Sequence, residues 1–238
     1  GTEAQKKVFY TGLYHALIHP NVLSDVNGEY PAMESAEIRT AEGNRYTVFS
    51  LWDTYRNLHQ LLTLVYPERQ LEMVRSMVGM YREWGWLPKW ELYGRETFTM
   101  EGDPSIPVIV DTWMKGLRDF DMDAAYEAMR KSATTPGARN RMRPDIDPYI
   151  EKGYVPLGFY ARDLSGDNSV SHALEYYIAD HALSLLADSL GKKDDAALFR
   201  ARSLGYKNYY STESGTFRPI TKEGKFLTPF DPRQGENF

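Results

Sequence analysis

FSLWDTYRNLHQLLTLVYPERQLEMVRSMVGMYREWG, residues 49–85, is the stretch that decides the fold. Apolar side chains recur through it at Leu51, Tyr55, Leu58, Leu62 and Val65, stop at Pro67, and resume at Leu71, Val74, Met77 and Tyr81 until Gly85. Steps of three and four residues put these side chains on one face of a helix, and the proline and glycine punctuate the pattern. With so short a break between them, the two runs predict an antiparallel helix pair.

The same pattern extends in both directions. Thr2 with Gln5 three residues later has the form of a capping box, and Val8, Phe9, Leu13, Leu17 and Ile18 follow at helical spacing until Pro20. After Pro104 and Pro107 come Val110, Trp113, Met114 and Leu117, and Asp121 stands where it can cap a helix from Ala124 to Ala133. Ser169 is placed to cap a long helix through Leu174, Ile178, Leu185 and Leu190, and Asp194 to cap another running to Tyr209. Residues 216–220 and 225–228, around Thr221-Lys222-Glu223-Gly224, read as a β-hairpin. Residues 21–46, 85–103 and 134–166 lack periodicity and read as long loops.

Helices paired by short turns on one side and separated by long aromatic-rich loops on the other fit a helical toroid whose rim carries the site. The predicted class is mainly α: part of an (α/α)6 toroid with long loops and a small C-terminal β-hairpin. Residues 1–238 read as one domain, with helical hairpins and loops in 1–211 and a hairpin extension in 212–238. A closed ring of this kind needs about twelve helices, so part of the barrel is expected to be missing. The start at Gly1, directly at a helix cap, adds to the expectation that the chain belongs to a longer product. An irregular α-helical domain is the alternative.

Composition narrows the chemistry. With 28 Lys plus Arg against 33 Asp plus Glu there is no basic surface for nucleic acid, and no cysteine for a disulfide, a zinc-thiolate site or a thiol nucleophile. Apolar stretches fall short of a membrane span. The 17 Tyr and 5 Trp residues suit sugar faces as well as packed cores.

Trp52, Asp53 and Arg56 set an indole, a carboxylate and a guanidinium near a helix start. Asp53 either caps the helix or accepts hydrogen bonds from two neighbouring sugar hydroxyls while Trp52 stacks on the ring. Gly85-Trp86-Leu87-Pro88-Lys89-Trp90-Glu91 adds two indoles in a loop, for which substrate contact and local packing stand as equal readings. Glu96 and Asp103 supply further carboxylates, but spacing assigns no acid and base pair. His15 and His19 share a helix face at i, i+4, and Asp25-Val26-Asn27-Gly28-Glu29 has a calcium-loop flavour. Neither has the remaining ligands of a metal site.

These segments together resemble the calcium-dependent α-mannosidases of glycoside hydrolase family 92. The resemblance is carried by Phe9-Tyr10-Thr11-Gly12-Leu13-Tyr14-His15 with His19-Pro20-Asn21-Val22, by Asp25 to Tyr30, Phe49 to Arg56, Gly85 to Leu92 and Pro107-Val108-Ile109. It continues through Ser169-Val170-Ser171, Leu174-Glu175-Tyr176, Tyr206-Lys207-Asn208-Tyr209 and Pro229-Phe230-Asp231-Pro232. It implies an N-terminal β-sandwich followed by an (α/α)6 barrel, inverting removal of terminal α-mannose from glycans, and a periplasmic or extracellular location. It also implies a calcium ion in the complete enzyme, at the mannose 2- and 3-hydroxyls. Trp52 and Asp53 match the motif of the terminal mannose pocket, with Arg56 beside them and the Trp90-Glu91 loop on the same rim.

The general acid of the family, a Glu in a Thr-Glu-Gly/Ala-Asn segment leading to Trp-Gln-Tyr, is expected just after Glu236-Asn237-Phe238, with the base and calcium ligands further on. The acid role is not carried over to Glu236, and Asp180-His181 stands where relatives often have paired Asp. Another (α/α)6 glycosidase and a non-catalytic carbohydrate-binding toroid are the competing readings.

Overall fold

A computed structural model describes residues 1–159 and 168–233. The chain folds as two compact units, one of residues 1–100 with 111–128 and one of residues 101–110 with 129–238.

The first unit opens with α1 (Glu3–Ala16), started by the capping box in which Thr2 and Gln5 exchange hydrogen bonds. Residues 21–46, expected as a loop, instead form short antiparallel pairs: β1 (Asn21–Val22), β2 (Glu29–Pro31), β3 (Ile38–Thr40) and β4 (Tyr46–Thr47), with β1 on β4 and β2 on β3. Next comes β5 (Phe49–Ser50), leading into α2 (Leu51–Thr54), α3 (Leu58–Val65) and α4 (Pro67–Trp84).

The helix expected from Leu51 to Val65 is therefore broken at Tyr55–Asn57. Side chains take over carbonyls that the break leaves: Gln60 Nε2 donates to Tyr55 O at 2.6 Å and Arg56 Nε to Trp52 O at 3.0 Å. Pro67 opens α4 at its first position, where no N–H is needed, and Gly85 closes it in the left-handed region at φ 92°. α3 packs on α4, and Phe49, Leu51, Leu62, Val74, Met77 and Met80 form the buried core.

Residues 85–103 are likewise not a plain loop. β6 (Trp90–Leu92) and β7 (Arg95–Glu96) join β5 in a three-stranded antiparallel sheet ordered β5-β6-β7. Two helices carry the chain onward, α5 (Ser105–Met114), with Pro107 inside its first turn, and α6 (Met122–Thr134), where Asp121 Oδ1 caps the Ala124 N–H at 3.0 Å.

Within the second unit, α7 (Ile146–Lys152) occupies a segment expected to be loop, and Pro148 in its first turn explains why proline content misled. Then follow α8 (Ser169–Ser189) and α9 (Lys193–Ser203). Their N-caps are Asn168 and Lys192, one residue before Ser169 and two before Asp194, and α9 gives way to a 3-10 turn over Leu204–Asn208 instead of reaching Tyr209. The tail has a hairpin of β8 (Tyr210–Ser211) and β9 (Thr216–Phe217), then a bridge between Ile220 and Phe226 around the expected turn. Tyr149, Tyr176, Tyr177, Tyr209 and Ile220 make one buried cluster of this unit. Beneath α8, Arg143 lies fully buried between Asp103 at 3.0 Å and Asp180 at 2.7 Å, and Tyr149 donates to Asp180 at 2.9 Å.

Candidate functional site

The three-stranded sheet brings the two indole segments together. Ser50 pairs with Trp90 and Phe49 with Glu91, and the Leu51 N–H donates to Lys89 O at 3.3 Å. Phe49 and Leu51 are sunk in the core, so the chain turns outward at Trp52 and Asp53 next to the strand that carries Trp90.

Trp52 is half-buried, with the Arg56 guanidinium 4.6 Å from its ring centre and Arg56 Nε donating to Trp52 O at 3.0 Å. Arg56 also lies 4.8 Å from the Tyr55 ring, so it backs the indole. The carboxylate of Asp53 is exposed and accepts a hydrogen bond from Ser50 Oγ, while Oδ1 has no partner among the described residues. Ser50, not Asp53, holds the N-cap position of α2. Trp90 is half-buried, its N–H donating to Glu96 Oε1 at 2.9 Å and its carbonyl accepting from Thr97 Oγ1 at 2.8 Å. The indole Nε1 atoms of Trp52 and Trp90 are both buried without a hydrogen-bond partner among the described residues.

Glu91 differs from the others in having no exposed surface. Its carboxylate accepts from Thr47 Oγ1 at 2.8 Å, the Val48 N–H at 3.1 Å and the Gly94 N–H at 2.6 Å. Burial pushes its pKa up, and the Gly94 and Thr47 donors pull part of the way back. Glu96 accepts from the N–H groups of Lys89, Trp90 and Phe98 at 2.7, 2.9 and 2.9 Å. Both carboxylates serve backbone amides, so they do not form a pair facing each other across a glycosidic bond. Val48 adopts φ 61°, unusual for a β-branched residue, and sequence carries no sign of it. Glu34 and Thr47, which complete this hydrogen-bonded loop cluster, were also invisible by motif: Glu34 accepts the Glu96 N–H at 2.8 Å.

His15 and His19 do not share a helix face, because α1 ends at Ala16 and His19 Nδ1 turns to Asn21 Oδ1 at 3.2 Å. The Asp25–Glu29 segment is a self-contained turn, in which Asp25 Oδ1 accepts from the Val26 N–H and Asn27 Oδ1 from the Glu29 N–H. Among the described residues no three His, Asp or Glu side chains converge to hold a metal, so these residues do not fit a calcium ion. Glu236 lies outside the described residues. Around the β5–β6 pairing the chain therefore has an indole and a carboxylate with an open oxygen at the start of α2 and a second indole on β6, residue types suited to holding a hydroxylated ring.

The model of the glycosyl hydrolase family 92 catalytic domain matches residues 1–238. A family GH92 α-mannosidase from Bacteroides thetaiotaomicron, solved in complex with mannoimidazole, is 37% identical and superposes with a TM-score of 0.85 over 96% of this chain and 29% of its own. An inverting mannosidase of the same family and organism is 31% identical, with a TM-score of 0.85 over 97% of this chain and 31% of its own. An uncharacterized secreted glycosidase from Arthroderma benhamiae is 26% identical over 233 residues, 96% of this chain and 26% of that protein. The chain thus spans less than a third of the length of each relative. Mainly α, with a small C-terminal hairpin, it has the element content of an (α/α) toroid.

Proposed function

The chain belongs to glycosyl hydrolase family 92, and from that premise we propose that it supplies part of the terminal-mannose pocket of an inverting exo-α-mannosidase acting on mannose-containing glycans. The reading is supported by the pairing of Ser50, two residues before Trp52, with Trp90 in a chain 37% identical to an α-mannosidase. In this reading Trp52 and Trp90 present apolar surface to the sugar, and Asp53 accepts hydrogen bonds from its hydroxyls. Arg56 holds Trp52 in place from behind. Recognition of this kind sharpens in the transition state and raises kcat/KM without moving a proton.

Proton transfer is left to the remainder of the same enzyme. The calcium ion that the family implies does not fit the described residues. A periplasmic or extracellular location is supported by the secreted relative, and no helix among the described residues is long and apolar enough to cross a membrane.

The test is hydrolysis of para-nitrophenyl α-mannoside and α-glucoside by the full-length gene product, with the product anomer followed by NMR. The proposal expects the mannoside to be preferred and β-mannose to appear first, as inversion requires. Preference for the glucoside would point to another toroid glycosidase, and binding of mannose without turnover to a carbohydrate-binding protein.

A further inference from the structure

Glu91 holds an arrangement that its burial alone does not explain. Its three donors come from two different stretches of chain: Thr47 and Val48 just before β5, and Gly94 in the turn between β6 and β7. Thr47 Oγ1 closes the circuit by accepting from the Tyr93 N–H at 2.8 Å. Both stretches enter the left-handed region, Val48 at φ 61°, Tyr93 at 49° and Gly94 at 83°. Glycine takes such angles freely, but a β-branched residue does so only when its surroundings compel it. Backbone strain persists where the surrounding structure over-determines it, and here it lies two residues before Ser50, whose partner across the sheet is Trp90.

We infer that Glu91 is a positioning residue for the sugar pocket. By holding Val48 in the left-handed region and closing the Tyr93–Gly94 turn, it fixes β5 on β6 and so sets Trp52 and Asp53 against Trp90. The inference rests on the mannose-pocket reading and replaces the expectation that Glu91 itself touches the sugar, since its carboxylate is taken up by donors from its own loops. Three donors and no acceptor call for the ionised carboxylate. Glu91→Gln keeps the volume but turns an amide NH₂ toward one of those donors, which breaks the clamp on one side.

The experiment compares Glu91→Gln, Val48→Gly and the double variant in the full-length protein. Val48 and Gly94 donate to different oxygens of Glu91, so in Glu91→Gln hydrogen exchange is expected to quicken by about 10-fold or more at whichever of the two amides faces the new NH₂. On para-nitrophenyl α-mannoside, kcat/KM is expected to fall between about 10- and 100-fold, the range for a site displaced by up to an ångström. Val48→Gly, which removes the strain the clamp opposes, should recover much of that loss in the double variant, whereas a lost sugar contact would not be restored. Unchanged exchange at both amides in Glu91→Gln, or no recovery from Val48→Gly, would overturn the inference. If Glu91→Gln does not fold, Thr47→Val removes one of the three donors and should show the same effects at smaller size. The exchange measurement does not depend on the enzyme's substrate, so it separates a failure of the clamp from a failure of the mannosidase reading.

Discussion

A methyl group at residue 79 would touch a guanidinium. A Cβ on Gly79 would fall 2.7 Å from Arg45 Nη1, and Arg45 cannot swing aside easily because it is 4% exposed and bound through two nitrogens to Glu83 at 3.0 and 2.8 Å. Glu83 also accepts from Tyr30 OH at 2.9 Å and the Met33 N–H at 2.7 Å, so the pair ties residues 30–45 to α4. In an open helix Gly→Ala would stabilise by about 1 kcal/mol. Here overpacking and a disturbed buried ion pair should outweigh that gain, and Gly79→Ala is expected to destabilise by about 1–3 kcal/mol in urea denaturation. A stabilised variant would show that Arg45 is free to move.

His59 is the residue whose charge the fold opposes most plainly. It is fully enclosed, with Nδ1 2.9 Å from Gln70 Oε1 and Nε2 3.1 Å from Thr54 Oγ1, and Gln70 Nε2 donates onward to Thr112 at 2.9 Å. Burial lowers its pKa from 6.5 to about 4, with the Gln70 contact acting in the opposite sense. Because the unfolded chain takes up this proton more readily than the folded one, the histidine favours folding above pH 6.5, and that contribution is lost as pH falls from 6.5 through about 4. The loss amounts to something on the order of 3 kcal/mol. NMR titration should find the His59 ring neutral down to about pH 4, and His59→Gln should flatten the decline in stability across that window. A ring that titrates near 6.5 would contradict the enclosed network.

Among the elements, α1 and α4 differ sharply although both were legible from spacing and caps. α1 has its capping box but no buried residue, with Val8, Phe9, Tyr10 and Tyr14 all exposed, while α4 buries Gln70, Met73, Val74, Met77, Val78 and Met80. A 14-residue helix that buries none of its side chains fully is marginal in water. Amides of α1 in this 238-residue chain are therefore expected to exchange on the order of 100-fold faster than those of α4, as followed by hydrogen-exchange mass spectrometry. Equal protection would mean that α1 is held by contacts its burial does not reveal.

The elements that spacing missed have a common cause. Strands of two or three residues such as β5 and β7 are too short to display a period of two, and the pairing of β5 is set by a partner about 40 residues away, as Phe49 with Glu91. The break between α2 and α3 depends on Gln60 reaching Tyr55 O, an event that the apolar pattern runs straight through. For the candidate site, Trp52 stood out in the sequence beside Asp53 and Arg56 near a helix start, and Trp90 as one of two indoles in a loop. The difference between Asp53, exposed with one oxygen open, and Glu91, buried on three donors, could not be read from two acidic residues that each follow a tryptophan.

For the whole molecule, the proposed mannose pocket comes down to one testable claim, that Asp53 reads sugar hydroxyls. Its bond to Ser50 Oγ orients the carboxylate, and the cap position of α2 belongs to Ser50, so removing Asp53 should cost little stability. Hydrogen bonds to a charged group that sharpen in the transition state account for a loss on the order of 100-fold when two are removed. The most direct measurement is kcat/KM on para-nitrophenyl α-mannoside together with the Tm of Asp53→Ala in the full-length protein. The account predicts a fall in kcat/KM on the order of 100-fold with Tm within about 2 °C of the parent; near-normal kcat/KM with a clear drop in Tm would contradict it and leave Asp53 as a support of its helix.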